Sequence, residues 1–67
     1  MAVNGLKRFW FLIPKKQIDG NIYDDRPWVY FTDADNLHDA LSDAEESTRN
    51  AIDEIMLIGW LYVSEFL

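Results

Sequence analysis

The sequence contains no cysteine, one histidine, two prolines and three glycines, and its 6 lysines and arginines are outnumbered by 12 aspartates and glutamates. Without cysteine there is no disulfide staple, no thiolate metal site and no thiol nucleophile, which fits a reducing compartment. A single histidine, His38, cannot supply a zinc-binding pair. Gly5, Gly20 and Gly59 are too dispersed to form a phosphate-cradling loop. Long apolar runs are also missing. Phe9 to Ile13 is short for the apolar segment of a signal peptide, and Ile55 to Val63 is interrupted by Gly59, well below the roughly 20 residues of a spanning helix. These absences predict no membrane association and a cytoplasmic protein. The 67 residues allow one domain, 1–67. A chain of this size buries only about 60% of its unfolded surface, too little for most folds with an enclosed catalytic pocket.

Apolar side chains are abundant. Hydrophobic residues make up 49% of the chain, with three Trp, three Tyr and four Phe, which excludes a disordered acidic tail. Charge is uneven. Residues 1–26 hold five basic and three acidic side chains, a net +2, whereas residues 27–67 hold Arg49 against nine acids, a net −8. Such a distribution describes a surface with a negative pole.

Leu6 to Ile13, aromatic and branched and stopped by Pro14, predicts a strand. Asp19-Gly20-Asn21 signals a turn, with Ile22 and Tyr23 a short extra edge strand. Pro27 opens a second full strand, Trp28 to Thr32. The period then changes. Ala34, Leu37, Leu41, Ala44, Thr48, Ala51, Ile52 and Ile55 recur at steps of three and four, the stripe of an amphipathic helix. The expected helix runs from Ala34 to Met56, capped by Thr32 or Asp33 and stopped by Gly59; the alternative is a break near Ser42, where Ser42-Asp43-Ala44-Glu45 forms its own capping pattern. Trp60 to Phe66 alternates as the last strand. The expected fold is α+β, a three- to four-stranded, mostly antiparallel sheet in β-β-α-β order with one long amphipathic helix packed on one face.

Two surfaces stand out. Opposite the apolar stripe, Asp35, Asp39, Asp43, Glu46 and Asp53, with Glu54 at the margin, form an acidic strip. Like-charge neighbours four residues apart cost about 0.2–0.5 kcal/mol each, and acids in the last helical turn oppose the helix dipole. The strip either solvates an otherwise apolar protein or occupies a basic groove. The second surface is the sheet, whose strands are apolar on both sides while one helix covers one side only. Trp10, Trp28, Tyr30, Trp60 and Tyr62 are candidates for an aromatic interface, either a partner anchor or a homodimer face. A net charge of −6 argues against direct nucleic acid binding, which needs basic surface.

Catalytic patterns are few. Phe31-Thr32-Asp33-Ala34-Asp35-Asn36-Leu37 resembles the nucleophile motif of haloacid-dehalogenase-type phosphatases, a larger doubly wound fold that 67 residues cannot hold. As a calcium loop, Asp33-x-Asp35 lacks the third oxygen ligand and the glycine. Ser42, Ser47 and Ser64 have no triad context. The expectation is no enzyme, no catalytic residue, no metal and no cofactor.

In its shortness, acidity, α+β pattern and lack of catalytic motifs, the chain resembles small acidic phage-encoded anti-CRISPR proteins, some of which mimic DNA in charge layout; that resemblance is one of type and rests on no motif. Phe31 to Ile52, with Asp35-Asn36-Leu37-His38-Asp39-Ala40-Leu41 followed by Ala44-Glu45-Glu46, resembles the strand-to-helix segment of HicB-like antitoxins, without their Pro/Gly-rich loop before the helix. The first resemblance implies an inhibitor whose partner is a protein with a basic, nucleic-acid-binding groove, contacted through Asp35, Asp39, Asp43, Glu46, Asp53 and Glu54. The second implies a toxin-masking domain. A self-associating accessory protein is the third expectation.

Overall fold

The computed structural model describes residues 5–18 and 21–66. Its elements follow in the order β1 (Lys7–Ile13), β2 (Lys16–Ile18), β3 (Asn21–Asp24), β4 (Trp28–Ala34), α1 (Leu37–Thr48), a 3-10 turn at Ile52–Glu54, β5 (Met56–Tyr62) and a 3-10 turn at Val63–Phe66. Strands β4, β1 and β5 form a three-stranded antiparallel sheet in that spatial order. The fold is α+β, as the alternating and helical periods predict.

β1 is central because both its edges are used: Phe11 lies opposite Tyr30 on β4 and Leu57 on β5. Residues directly opposite one another share a face. One face therefore carries Phe9, Phe11 and Ile13 with Trp28, Tyr30, Leu57, Trp60 and Tyr62, and the other Trp10 and Leu12 with Val29, Phe31, Met56 and Leu61. Helix α1 packs against β4 and β1. Its buried residues are Ala40, Ala44 and Thr48, spaced by four along one side. Two alanines let the helix backbone approach the rings below, and Phe9, Phe11, Ile13, Ala40, Ala44 and Ile55 make the core. Trp28, Tyr30, Ala34 and Leu41 close its rim.

The predicted extra edge strand exists, but it pairs elsewhere. β3 joins β2 in a separate two-stranded ribbon; the Asp19-Gly20 part of the predicted turn lies outside the described residues.

The helix is shorter than its stripe predicts. It begins after Asn36, whose side chain accepts the backbone N–H of Asp39 at 2.9 Å, so the cap is Asn36 and not Thr32 or Asp33. It ends at Arg49, which adopts φ 60° and donates its N–H to the Glu45 carbonyl. Asn50, only 2% exposed, fixes the exit by donating from Nδ2 to the Thr48 carbonyl at 2.9 Å and the Lys15 carbonyl at 3.2 Å. There is no break at Ser42. Past Asn50 the apolar stripe keeps phase although the helix has ended, because Ile55 still reaches the core from the connection to β5. The last strand begins at Met56, four residues before the predicted Trp60, and Val63–Phe66 is a 3-10 turn. Gly59 therefore lies inside β5, opposite Trp10; Phe11 lies opposite Leu57, so Ile58 is the extra residue of a bulge.

Candidate functional site

The acidic residues do not lie along one helix. Asp39, Asp43 and Glu46 are on α1, Asp35 is in the bend before it, and Asp53 and Glu54 are in the 3-10 turn after it. Asp39 and Glu46, seven residues apart, share the outward side at about 10 Å along the axis. Asp35, Asp53 and Glu54 are also exposed.

Asp43 differs from the rest of the strip. It is half-buried, and its Oδ2 accepts the Tyr30 hydroxyl at 2.7 Å. That hydrogen bond holds the Asp43 carboxyl below the ordinary carboxylate range, with the Thr32 and Ser47 hydroxyls acting in the same direction. Burial pushes the Tyr30 hydroxyl up. Asp43 thus fastens the helix to β4. Glu54 is engaged too, by Lys15 at 3.6 Å and by the Ala51 N–H at 3.3 Å. Asp39, with 63% of its side chain exposed, lies beside exposed His38, 3.7 Å from its Nδ1.

The cations are drawn to other places. Lys7 donates to the Asp35 carbonyl at 2.9 Å and sits over the Trp60 and Tyr62 rings at 5.7 and 5.3 Å. Lys16 lies 5.1 Å over Trp28, beside a cleft that Arg26 and Pro27 also line. Arg8 holds Asp33 through two bonds, 2.7 and 3.1 Å, and its guanidinium lies 4.7 Å over Phe31. The Arg8 guanidinium keeps the Asp33 carboxyl low. Asp33, first residue of the phosphatase-like motif, therefore serves as an ion-pair partner on the face away from the helix. No three His, Asp or Glu side chains gather into a cation-sized cluster among the described residues, and none of the described helices is long and apolar enough to cross a membrane.

The five predicted interface aromatics divide among three environments. Trp28 and Tyr30 pack at the core rim under the helix, edge to face with ring centres 6.2 Å apart. Trp10 is on the opposite face, half-buried. Trp60 and Tyr62 stand on the helix side of β5, edge to face at 5.2 Å, and remain exposed because α1 covers β4 and β1 instead. Further exposed apolar residues lie on the other face. Val29 and Phe31 are each 52% exposed and Met56 63%, with Leu61 beside them on the uncovered face. Alternation marks these positions as one face of each strand, but a preference for Trp and Tyr passes over them.

Comparison with protein-family models, with curated proteins and with solved structures returns no match for this chain.

Proposed function

We propose that the chain is a non-enzymatic inhibitor that seats its acidic end on the basic, nucleic-acid-binding surface of a protein partner, of the kind found in bacterial defence complexes, and keeps nucleic acid out. The observation that carries this reading is the segregation of charge. Helix α1 contains no Lys or Arg, while Lys7, Arg8, Lys15 and Lys16 are engaged on the sheet, at its loops or with Glu54. Exposed Asp35, Asp39, Glu46 and Asp53 remain as a set of carboxylates around α1. The roughly 10 Å between Asp39 and Glu46 approximates three phosphate steps of about 3.4 Å along one nucleic acid strand. Opposite charge steers association and favours a basic partner over an acidic one.

The test is competition for a captured partner. The chain retains a basic DNA-binding protein from bacterial lysate at low ionic strength, loses it at high salt, and is displaced by added DNA. The Asp35→Asn/Asp39→Asn/Glu46→Gln variant leaves the Tyr30–Asp43 bond intact; it should keep the wild-type melting temperature and bind the partner at least about tenfold more weakly, equivalent to 1.4 kcal/mol. Undiminished binding by that variant, or simultaneous binding of DNA and the chain, rejects the proposal.

A further inference from the structure

We infer that two copies of the chain pair through β5, edge to edge and antiparallel about a two-fold axis at Gly59, to give a closed six-stranded sheet. This goes beyond the acidic-face reading and does not depend on it.

β5 is an edge strand guarded by neither charge nor proline, its one irregularity being the bulge at Ile58. Its sequence, Met-Leu-Ile-Gly-Trp-Leu-Tyr, holds no charge and no proline over seven residues, and six of the seven are exposed. Among the described residues, no strand pairs with its outer edge. Edge strands of this kind are templates for further pairing, and proteins that stay monomeric blunt them with charges or prolines. The other edge, β4, is guarded: it follows Pro27, carries Asp33 held by Arg8, and lies against α1.

A symmetric pairing is self-complementary at one register. With Gly59 opposite Gly59 of the second copy, the bulge sets the pairs: Leu57 and Ile58 together face Trp60, and Met56 meets Leu61, so opposed side chains share a face. Aliphatic–aromatic pairs are favourable across strands. A Cβ at Gly59 would find nothing within 4 Å, so a small side chain can be placed there without displacing a neighbour.

The charge layout favours this occupant. Each copy carries −6, which opposes self-association through any acidic surface. Because α1 packs on β4 and β1, an edge-to-edge dimer places the two acidic helices about four strand spacings apart, roughly 19 Å at about 4.8 Å per strand. That exceeds the Debye length of about 8 Å at physiological ionic strength. The uncharged edge is thus where two copies meet at the lowest electrostatic cost. The pairing also joins the uncovered apolar areas beside β5, including Met56 and Leu61 on one face and Trp60 and Tyr62 on the other, towards the roughly 1,000 Å² a specific interface needs.

Absence of native cysteine makes the register directly testable. Opposed residues in an antiparallel pair have Cα atoms about 4.5–5.5 Å apart, within the disulfide range of about 4.4–6.8 Å. Gly59→Cys should therefore oxidise to a covalent dimer of twice 7.9 kDa on exposure to mild oxidant, whereas Val29→Cys, exposed on β4, should stay monomeric on a denaturing gel. Wild-type chain should sediment as a dimer. Ile58→Lys should sediment as a monomer with an unchanged circular dichroism spectrum, and Val29→Lys should remain dimeric. A monomeric wild type, an open series of larger assemblies, a dimer that survives Ile58→Lys, or equal cross-linking of the two cysteine variants would overturn the inference.

Discussion

The Tyr30 hydroxyl donates to Asp43 Oδ2 at 2.7 Å, joining the middle of β4 to the middle of the only α-helix among the described residues. The bond removes one carboxylate from the outward acidic set and uses it to seat the helix. Tyr30→Phe should cost about 1.5–2 kcal/mol, the lower part of the range for hydrogen bonds to charged groups, because the pair is only half-buried. Asp43→Asn keeps an acceptor but loses the charge and should cost less. Urea titrations of the two variants check the order.

The same bond sets an acid limit. The Tyr30 hydroxyl lowers the folded-state pKa of Asp43, and Arg8 lowers that of Asp33. A depressed carboxylate pKa contributes stability that is present above the unfolded value, about 3.9, and is lost as pH falls through the folded value. The melting temperature should therefore hold from neutral pH to about pH 5 and drop below about pH 4. In Asp43→Asn the drop should be shallower; an unchanged acid profile would show that Asp43 contributes nothing to it.

Both ends of α1 offer a stability change of opposite sign. Asn36→Ala removes the side-chain acceptor for the Asp39 N–H and should cost about 1 kcal/mol. Arg49 closes the other end at φ 60°, a region that costs a residue with a Cβ about 1 kcal/mol. Glycine removes that cost but adds freedom to the unfolded chain, so Arg49→Gly should gain about 0.5 kcal/mol. The midpoint of denaturant unfolding should move down for the first variant and up for the second.

How much of this was legible depended on whether the determining contact was local. Strands β1 and β4 are marked by branched and aromatic residues next to Pro14 and Pro27, and both lie within two residues of their expected bounds. The end of the helix was not legible. Ala51, Ile52 and Ile55 continue the period past the true stop, and the stop depends on Asn50 reaching the Lys15 carbonyl, 35 positions away. The acidity of 33–54 is plain in the sequence, yet the separate role of Asp43 depends on Tyr30, 13 positions earlier. The uncovered sheet face was visible as strands apolar on both sides, whereas the assignment of Val29, Phe31, Met56 and Leu61 to it required the pairing register.

Asn50 is the strongest single test of that non-local contact. Its side chain is buried, and Nδ2 supplies hydrogen to the Thr48 and Lys15 carbonyls, tying the end of α1 to the loop after β1. Asn50→Ala removes the donors and leaves buried acceptors short of partners, a change worth about 1–3 kcal/mol; at about 4–8 °C per kcal/mol the loss is large for a domain this size. Asn50→Asp should be worse at neutral pH, because an ionised carboxylate would face two carbonyl oxygens with no proton to donate. Burial raises the folded pKa of such an acid. Its cost is therefore smallest at low pH, where the protonated acid can donate one bond, and grows as pH rises through the unfolded value. Relative to wild type, Asn50→Asp should thus be less destabilised at pH 4 than at pH 7. A constant difference between those conditions would mean that residue 50 faces water and does not hold the end of the helix.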